Sequence, residues 1–319
     1  MSVQFPVNDH RCKMTEELHR ELSKYCSYGC KIRLNEPLSK RTTLRVGGTA
    51  DLFFEPANEK DLAEGIRLAR EMHIPWMVLG RGSNLLIRDG GVRGVVISLG
   101  TEAFSVVVPD GQHIAAGAGA RLKHLAVEAR RYNIAGFEFF EGIPGSVGGA
   151  LRMNAGAMGS ATFDLVKTVR LMQSDGRVVD LTPQEMAVTY RCCEGLREQI
   201  ALSVVFRGIV GSKEAIEERM KLMSTKRWST QPAAPSAGCI FKNPTNIPAG
   251  KLIQELGLKG LRVGGAQISE VHGNFIINDS EATAADVLRL IQIVQERAAM
   301  ERGINLETEV QIVGEDLVQ

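Results

Sequence analysis

The placement of glycine constrains this chain more than any other feature. Six glycines fall within residues 142–159, in Gly142-Ile143-Pro144-Gly145-Ser146-Val147-Gly148-Gly149-Ala150 and on through Met153-Asn154-Ala155-Gly156-Ala157-Met158-Gly159. Arg152 is the one charge in that stretch. So free a backbone costs entropy to fold, which is expected where main chain must approach a flat ligand or another element closely. Crowded packing between two elements is the competing explanation. Two shorter runs share the character: Leu79-Gly80-Arg81-Gly82-Ser83-Asn84-Leu85-Leu86, and Gly117-Ala118-Gly119 ahead of a helical pattern. The first offers backbone N–H groups and two polar side chains, a nest suited to a pyrophosphate. It is not the dinucleotide fingerprint, because a further strand rather than a long helix follows Leu86.

A length of 319 residues suggests two domains. Hydrophobic residues at 44% and charged residues at 24% describe an ordinary soluble protein. Lys plus Arg (38) nearly cancels Asp plus Glu (37), so a nucleic-acid partner is not expected. No apolar run reaches the ~20 residues of a membrane helix, and the N-terminus shows no secretory pattern. Membrane insertion is therefore not expected, and the cytoplasm is the default compartment. The cysteines (Cys12, Cys26, Cys30, Cys192, Cys193 and Cys239) contain no C-x-x-C pair. They are expected to be reduced thiols, with no metal site.

Residues 1–40 read as an N-terminal extension, helical over Glu16–Tyr25, and residues 1–35 are expected to be dispensable for chemistry. A compact pattern begins at Thr42, where 43–48 and 50–56 read as strand, glycine turn and strand. Helices are expected over 60–72 and 121–132, and strands over 76–79, 95–99, 105–108, 165–172, 178–181 and 202–206. A charged helix over 213–226 opens the second domain. Thr283 and Asp286 cap a later helix whose Val287, Leu290, Ile291 and Val294 share a face. The organisation is thus an extension (1–40), a first domain (41–212) and a smaller second domain (213–319).

Three further segments bring reactive groups. Ala237-Gly238-Cys239-Ile240-Phe241-Lys242-Asn243-Pro244 joins a thiol, a cation and an amide. Cys239 is a nucleophile, an acid or simply a buried thiol on this evidence. Tyr190-Arg191 and Leu306-Glu307-Thr308-Glu309-Val310 are the others, and in a strand Glu307 and Glu309 share a face.

Taken in order, these segments resemble the UDP-N-acetylenolpyruvoylglucosamine reductase family. The resemblance spans residues 40–315: T-T-L-R-V-G-G, G-R-G-S-N-L-L, I-P-G-S-V-G-G-A with M-N-A-G-A, Y-R, G-C-I-F-K-N-P, G-L-K-G and L-E-T-E-V. The short interval after Arg191 looks like the compact subtype without the substrate-capping tyrosine loop. The resemblance implies an α+β fold, with an FAD-binding domain of the vanillyl-alcohol-oxidase (PCMH) type followed by a smaller α+β substrate domain. It implies FAD as cofactor and NADPH as hydride donor. The reaction implied is reduction of UDP-N-acetylglucosamine enolpyruvate to UDP-N-acetylmuramate in peptidoglycan precursor synthesis, with no obligate protein partner. The 80–90 loop has no histidine, so FAD is expected to be non-covalent.

Residue by residue, the resemblance places FAD at Arg45, Gly80, Arg81, Gly82, Ser83, Asn84, Leu85, Gly117, Gly119, Gly142–Ser146 (with Ile143, Pro144 and Gly145), Gly148, Gly149, Asn154 and Ala155. It places the nucleotide sugar at Tyr190, Arg227, Gln231, Lys242 and Asn243. Arg191 and Glu309 match the groups that stabilise charge developing on the substrate carboxylate, and Cys239 matches the proton donor. Many relatives have Ser at that position, and an ordinary thiol, with a pKa of ~8.5, is the stronger acid. Another FAD oxidase of the same fold and a non-catalytic flavin-binding module are the rival readings.

Overall fold

The computed structural model describes residues 8–317, with side chains from Lys13 onward. Cys12 lies outside the described side chains. The chain builds two main sheets that carry the first domain and a third that carries the C-terminal domain. In the first sheet Lys31–Pro37, Thr49–Glu55, Val92–Ile97 and Trp76–Val78 lie side by side in that order. The first pair is antiparallel and the others parallel. The alternation of Leu52 and Phe54 on one face with Phe53 on the other buries both faces. Helix Glu59–Glu71 covers one of them through Leu62, Ile66 and Ala69, spaced to share a stripe. Asn58 caps its start by accepting from the Asp61 N–H at 3.0 Å.

The second sheet is antiparallel, in the order Val178–Leu181, Val166–Met172, Ile200–Arg207, His113–Gly117 and Val107–Asp110. Helix Leu122–Arg131 packs beside it, and one apolar core containing Phe54, Ile114, Leu125, Phe140 and Phe206 runs through both sheets. A second core fills the C-terminal domain. There Ser236–Cys239, Phe275–Asn278, Ala266–Ile268 and Arg262–Val263 form an antiparallel sheet under helix Ala284–Arg302. Thr283 and Asp286 make the expected reciprocal cap on that helix. The chain then returns: Gln311–Val313 pairs in parallel with Leu85–Ile87, fastening the C-terminus to the glycine nest.

Three expectations change. Residues 1–40 are not simply an extension, because Lys31–Pro37 is the outer strand of the first sheet, and Leu18 and Leu22 are fully buried in the first core. The hairpin partner of Thr49–Glu55 is this strand, whereas 42–48 is irregular. The helix at Lys213–Thr230 does not open the second domain, since Ile216 and Met220 belong to the first core. Its few apolar residues serve the surface of Glu138–Gly142, where Arg219 also reaches Glu138 at 3.6 Å. Truncation at Asn35 would strip a strand, so it does not isolate a chemical role. Instead Leu22→Ala is expected to cost about 2–5 kcal/mol of folding free energy. Urea denaturation checks this, and an unchanged midpoint would detach the helix from the core.

Candidate active site

The three glycine segments converge. The Leu122 N–H donates to Gly145 O, Val147 N–H to Ala120 O and Gly148 N–H to Ala118 O at 2.7 Å, interlacing 117–122 with 145–148. A Cβ on Gly80 would stand 2.6 Å from Ser146 Oγ, and one on Gly119 would overlap the Leu99 carbonyl oxygen. At Gly119 the backbones therefore touch in a way no larger residue permits, while at Gly80 the Ser146 side chain fills the space. Ser146 also caps the short helix Val147–Arg152 through the Gly149 N–H.

Around this cradle the charge is positive. Burial and the neighbouring guanidinium of Arg121 both push the pKa of Arg81 down. Two adjacent cations at the start of helix Leu122–Arg131 are costly unless an anion joins them. A diphosphate meets that requirement, and the Gly80–Asn84 nest supplies N–H donors for it. Arg121 was missed in the sequence, where a lone arginine after Ala120 belongs to no motif. The close-packed glycine backbone and the Arg81–Arg121 pair thus fit a cofactor that carries a diphosphate, as FAD does.

Asn84 joins this cradle to the reactive groups. Its Nδ2 donates to Glu309 O at 3.0 Å and lies 3.7 Å from Met153 Sδ. Thr43 holds the same region by donating from Oγ1 to Ser236 O at 2.7 Å. The outcome is that Arg191, Cys239 and Glu309, distant in sequence, face one another. Arg191 Nε lies 3.0 Å from Glu309 Oε1, a close ion contact without an aligned hydrogen bond. Both charges act on the Cys239 thiol. Glu307 points elsewhere, to Lys242 Nζ at 2.9 Å, with its side chain largely exposed. The segment 306–310 is not a strand; a single bridge between Phe241 and Thr308 orients it.

Arg191 sits at φ +58, in the left-handed region that a non-glycine residue rarely enters. Its guanidinium lies over the Tyr190 ring, 5.1 Å from the centroid. Burial raises the pKa of the Glu309 carboxyl, outweighing the opposing pull of Arg191 and Lys242. Cys239 is pushed up to about 12, first by burial and then by Glu309, while Arg191 and Asn274 pull the other way. The thiol is therefore held protonated, and its expected advantage in acidity over a serine hydroxyl is largely removed. Asn274, which sequence reasoning missed, is buried and holds this strand. It accepts from Phe241 N–H at 2.9 Å and donates to Phe241 O at 2.8 Å.

The remaining expected contacts are less uniform. Asn154 donates to Thr189 O at 3.1 Å and accepts from Phe163 N–H, and Ala155 O accepts from Thr162 Oγ1 at 2.7 Å. Both thus shape the loop over 153–163. Leu85 lies in the strand paired with the C-terminus. Arg45 is exposed, and its carbonyl accepts from Asn278. Arg227 donates to Gly142 O at 2.6 Å, Gln231 ends its helix, and Asn243 accepts from the Ala249 N–H to start the next helix. Asn243 and Arg227 thus have structural partners, whereas Tyr190 is open to solvent.

Comparison with known proteins agrees with this geometry. Residues 50–182 match the model of an FAD binding domain, and residues 231–313 match the C-terminal domain of UDP-N-acetylenolpyruvoylglucosamine reductase. The UDP-N-acetylenolpyruvoylglucosamine reductase of Heliobacterium modesticaldum is 47% identical over 88% of this chain and 90% of its own. That of Clostridioides difficile is 42% identical over 89% and 94%. The chain belongs to this reductase family. The solved reductase from Thermus caldophilus superposes with a TM-score of 0.77 at 39% identity, covering 89% of this chain and 98% of that one. The α+β arrangement of an FAD-binding domain followed by a smaller domain is the family's, and the chain is an FAD-dependent oxidoreductase. No helix among the described residues is long and apolar enough to cross a membrane.

Proposed function

We propose that this chain reduces the enolpyruvyl group of UDP-N-acetylglucosamine enolpyruvate to UDP-N-acetylmuramate, with Arg191, Glu309 and Cys239 as its chemical groups. The observation that carries this reading is the cluster of one guanidinium, one carboxyl and one thiol beside the glycine cradle. Bound FAD supplies the hydride relay from NADPH to the substrate. The substrate's carboxylate conjugates with a C=C bond, so negative charge builds toward that carboxylate during reduction. Arg191 receives the charge, and a protonated Glu309 donates a hydrogen bond without cancelling it. Cys239 keeps its proton until a strongly basic carbon is beside it, then delivers it there. Asn274 keeps the Cys239 strand in register with Glu309. Tyr190, Arg227, Gln231, Lys242 and Asn243 remain the proposed rim for the nucleotide sugar. On this reading the enzyme works in the cytoplasm without an obligate protein partner.

Two results test it. The purified protein is expected to be yellow, to release FAD on acid treatment, and without oxygen to consume more than one equivalent of NADPH only when the enolpyruvyl sugar is present. A colourless protein that takes up no FAD would contradict the reading. The second concerns pH. Because the Glu309 carboxyl is shifted upward, it stays neutral to higher pH than an ordinary glutamate. Product formation should be fast below the shifted value and decline as pH rises through it. Glu309→Gln, permanently neutral, should flatten that limb and leave flavin reduction by NADPH unchanged. The same limb persisting in the variant would assign it to another group.

A further inference from the structure

Far from the flavin cradle in sequence, the start of the chain assembles a second cluster. Cys26 follows helix Asn8–Tyr25, with its N–H donating to Leu22 O at 2.9 Å. The turn Ser27-Tyr28-Gly29 brings Cys30 back immediately before strand Lys31–Pro37, Gly29 taking φ +110. Asp61 comes from the first turn of helix Glu59–Glu71. One ligand atom from each of Cys26, Cys30 and Asp61 lies within 4.8 Å of the other two.

We propose that Cys26, Cys30 and Asp61 bind a zinc-class divalent ion, pinning the N-terminal helix to the flavin-type domain. Four observations carry this. A tetrahedral ion with bonds of ~2.0–2.3 Å needs ligand atoms roughly 3.3–3.8 Å apart, so this trio closes on an ion with small side-chain movements. Asp61 is 3% exposed, and its Oδ2 is buried with no hydrogen-bond partner, although Oδ1 accepts both the Ser27 N–H and Oγ–H at 3.0 Å. One oxygen is thus fixed and the other is left for a ligand. An orphaned carboxylate oxygen in a buried position is expensive, and an ion answers it. The Ala57 N–H meets Cys30 Sγ at 3.3 Å, the type of outer contact that orients a thiolate ligand. Finally, a cavity of about 270 Å³ opens beside the thiols, lined by His19, Ser23, Ser27 and Ile32.

The donor set selects the metal class. Two thiolates and one carboxylate favour zinc over magnesium or calcium, which take oxygen ligands. Binding replaces the two thiol protons, which leave to solvent, and forms two metal–sulfur bonds and one metal–oxygen bond. The fourth position faces the cavity and His19, two helical turns before Cys26. The ion would join the end of a helix, the start of a strand and the first turn of a second helix. None of the groups assigned to the reductase chemistry takes part, so this inference stands apart from that reading.

The test uses the FAD-loaded full-length protein, reduced and stripped with a chelator. Zinc titration is expected to show one tight site per chain and a rise in melting temperature. Cobalt in its place should give thiolate charge-transfer bands and tetrahedral absorption in the red, beyond the flavin. Cys26→Ser with Cys30→Ser should abolish both signals and the thermal shift while NADPH turnover stays normal. Ser27→Ala, which removes one of the two donors that orient the Asp61 carboxylate, should weaken zinc by about 10–100-fold. Zinc uptake unchanged in the double variant, or a cobalt spectrum lacking thiolate bands, would overturn the proposal. So would mass-spectrometric recovery of a Cys26–Cys30 disulfide as the resting form under reducing conditions.

Discussion

Arg191→Gln is expected to slow product formation by about 10²–10³-fold, while leaving FAD binding and its reduction by NADPH near normal. The effect is large because the guanidinium lies 3.0 Å from Glu309, so its loss removes charge stabilisation where charge develops. The backbone at φ +58 is an independent signal, since a strained arginine persists where its surroundings require that placement. Rapid-mixing absorbance of the two half-reactions checks the prediction. If NADPH reduction and substrate-driven reoxidation slow equally, Arg191 supports the fold rather than the chemistry.

Cys239→Ala should separate the half-reactions more sharply. Flavin reduction by NADPH needs no proton on the sugar, whereas formation of the product's new C–H bond does. Loss of a positioned general acid costs typically about 10²–10⁴-fold, so reoxidation by substrate should fall by that factor. Cys239→Ser should retain substantial activity. The structure strengthens this point, because burial and Glu309 raise the thiol to about 12 and bring it near the behaviour of a hydroxyl. Reoxidation of Cys239→Ala at the parent rate would make this residue packing and send the proton donor elsewhere.

Much of the site was legible before the fold. Glycines mark close backbone approach in any fold, and Gly80, Gly119 and Gly148 prove to have neighbours that exclude a side chain or leave it little room. Arg191, Cys239 and Glu309 were named by ordered motifs, and the sheet and its returning C-terminus bring them together. What stayed hidden depends on partners distant in sequence. Lys31–Pro37 alternates weakly and ends in proline, so its place beside Thr49–Glu55 is set by pairing rather than propensity. Lys213–Thr230 is too polar to reveal which core its Ile216 and Met220 enter. Arg121 acquires meaning only next to Arg81, and Asp61 only next to Cys26 and Cys30. The acidity of Cys239 was misread because a reference thiol says nothing of burial.

The most direct test of the account is an anaerobic single turnover. The protein is reduced with one equivalent of NADPH, freed of nucleotide, and mixed with UDP-N-acetylglucosamine enolpyruvate. The expected result is rapid return of the flavin colour with one UDP-N-acetylmuramate formed per flavin, and no such return with UDP-N-acetylglucosamine. A reduced flavin that stays bleached with the enolpyruvyl sugar and reoxidises only in oxygen would contradict the assigned reaction.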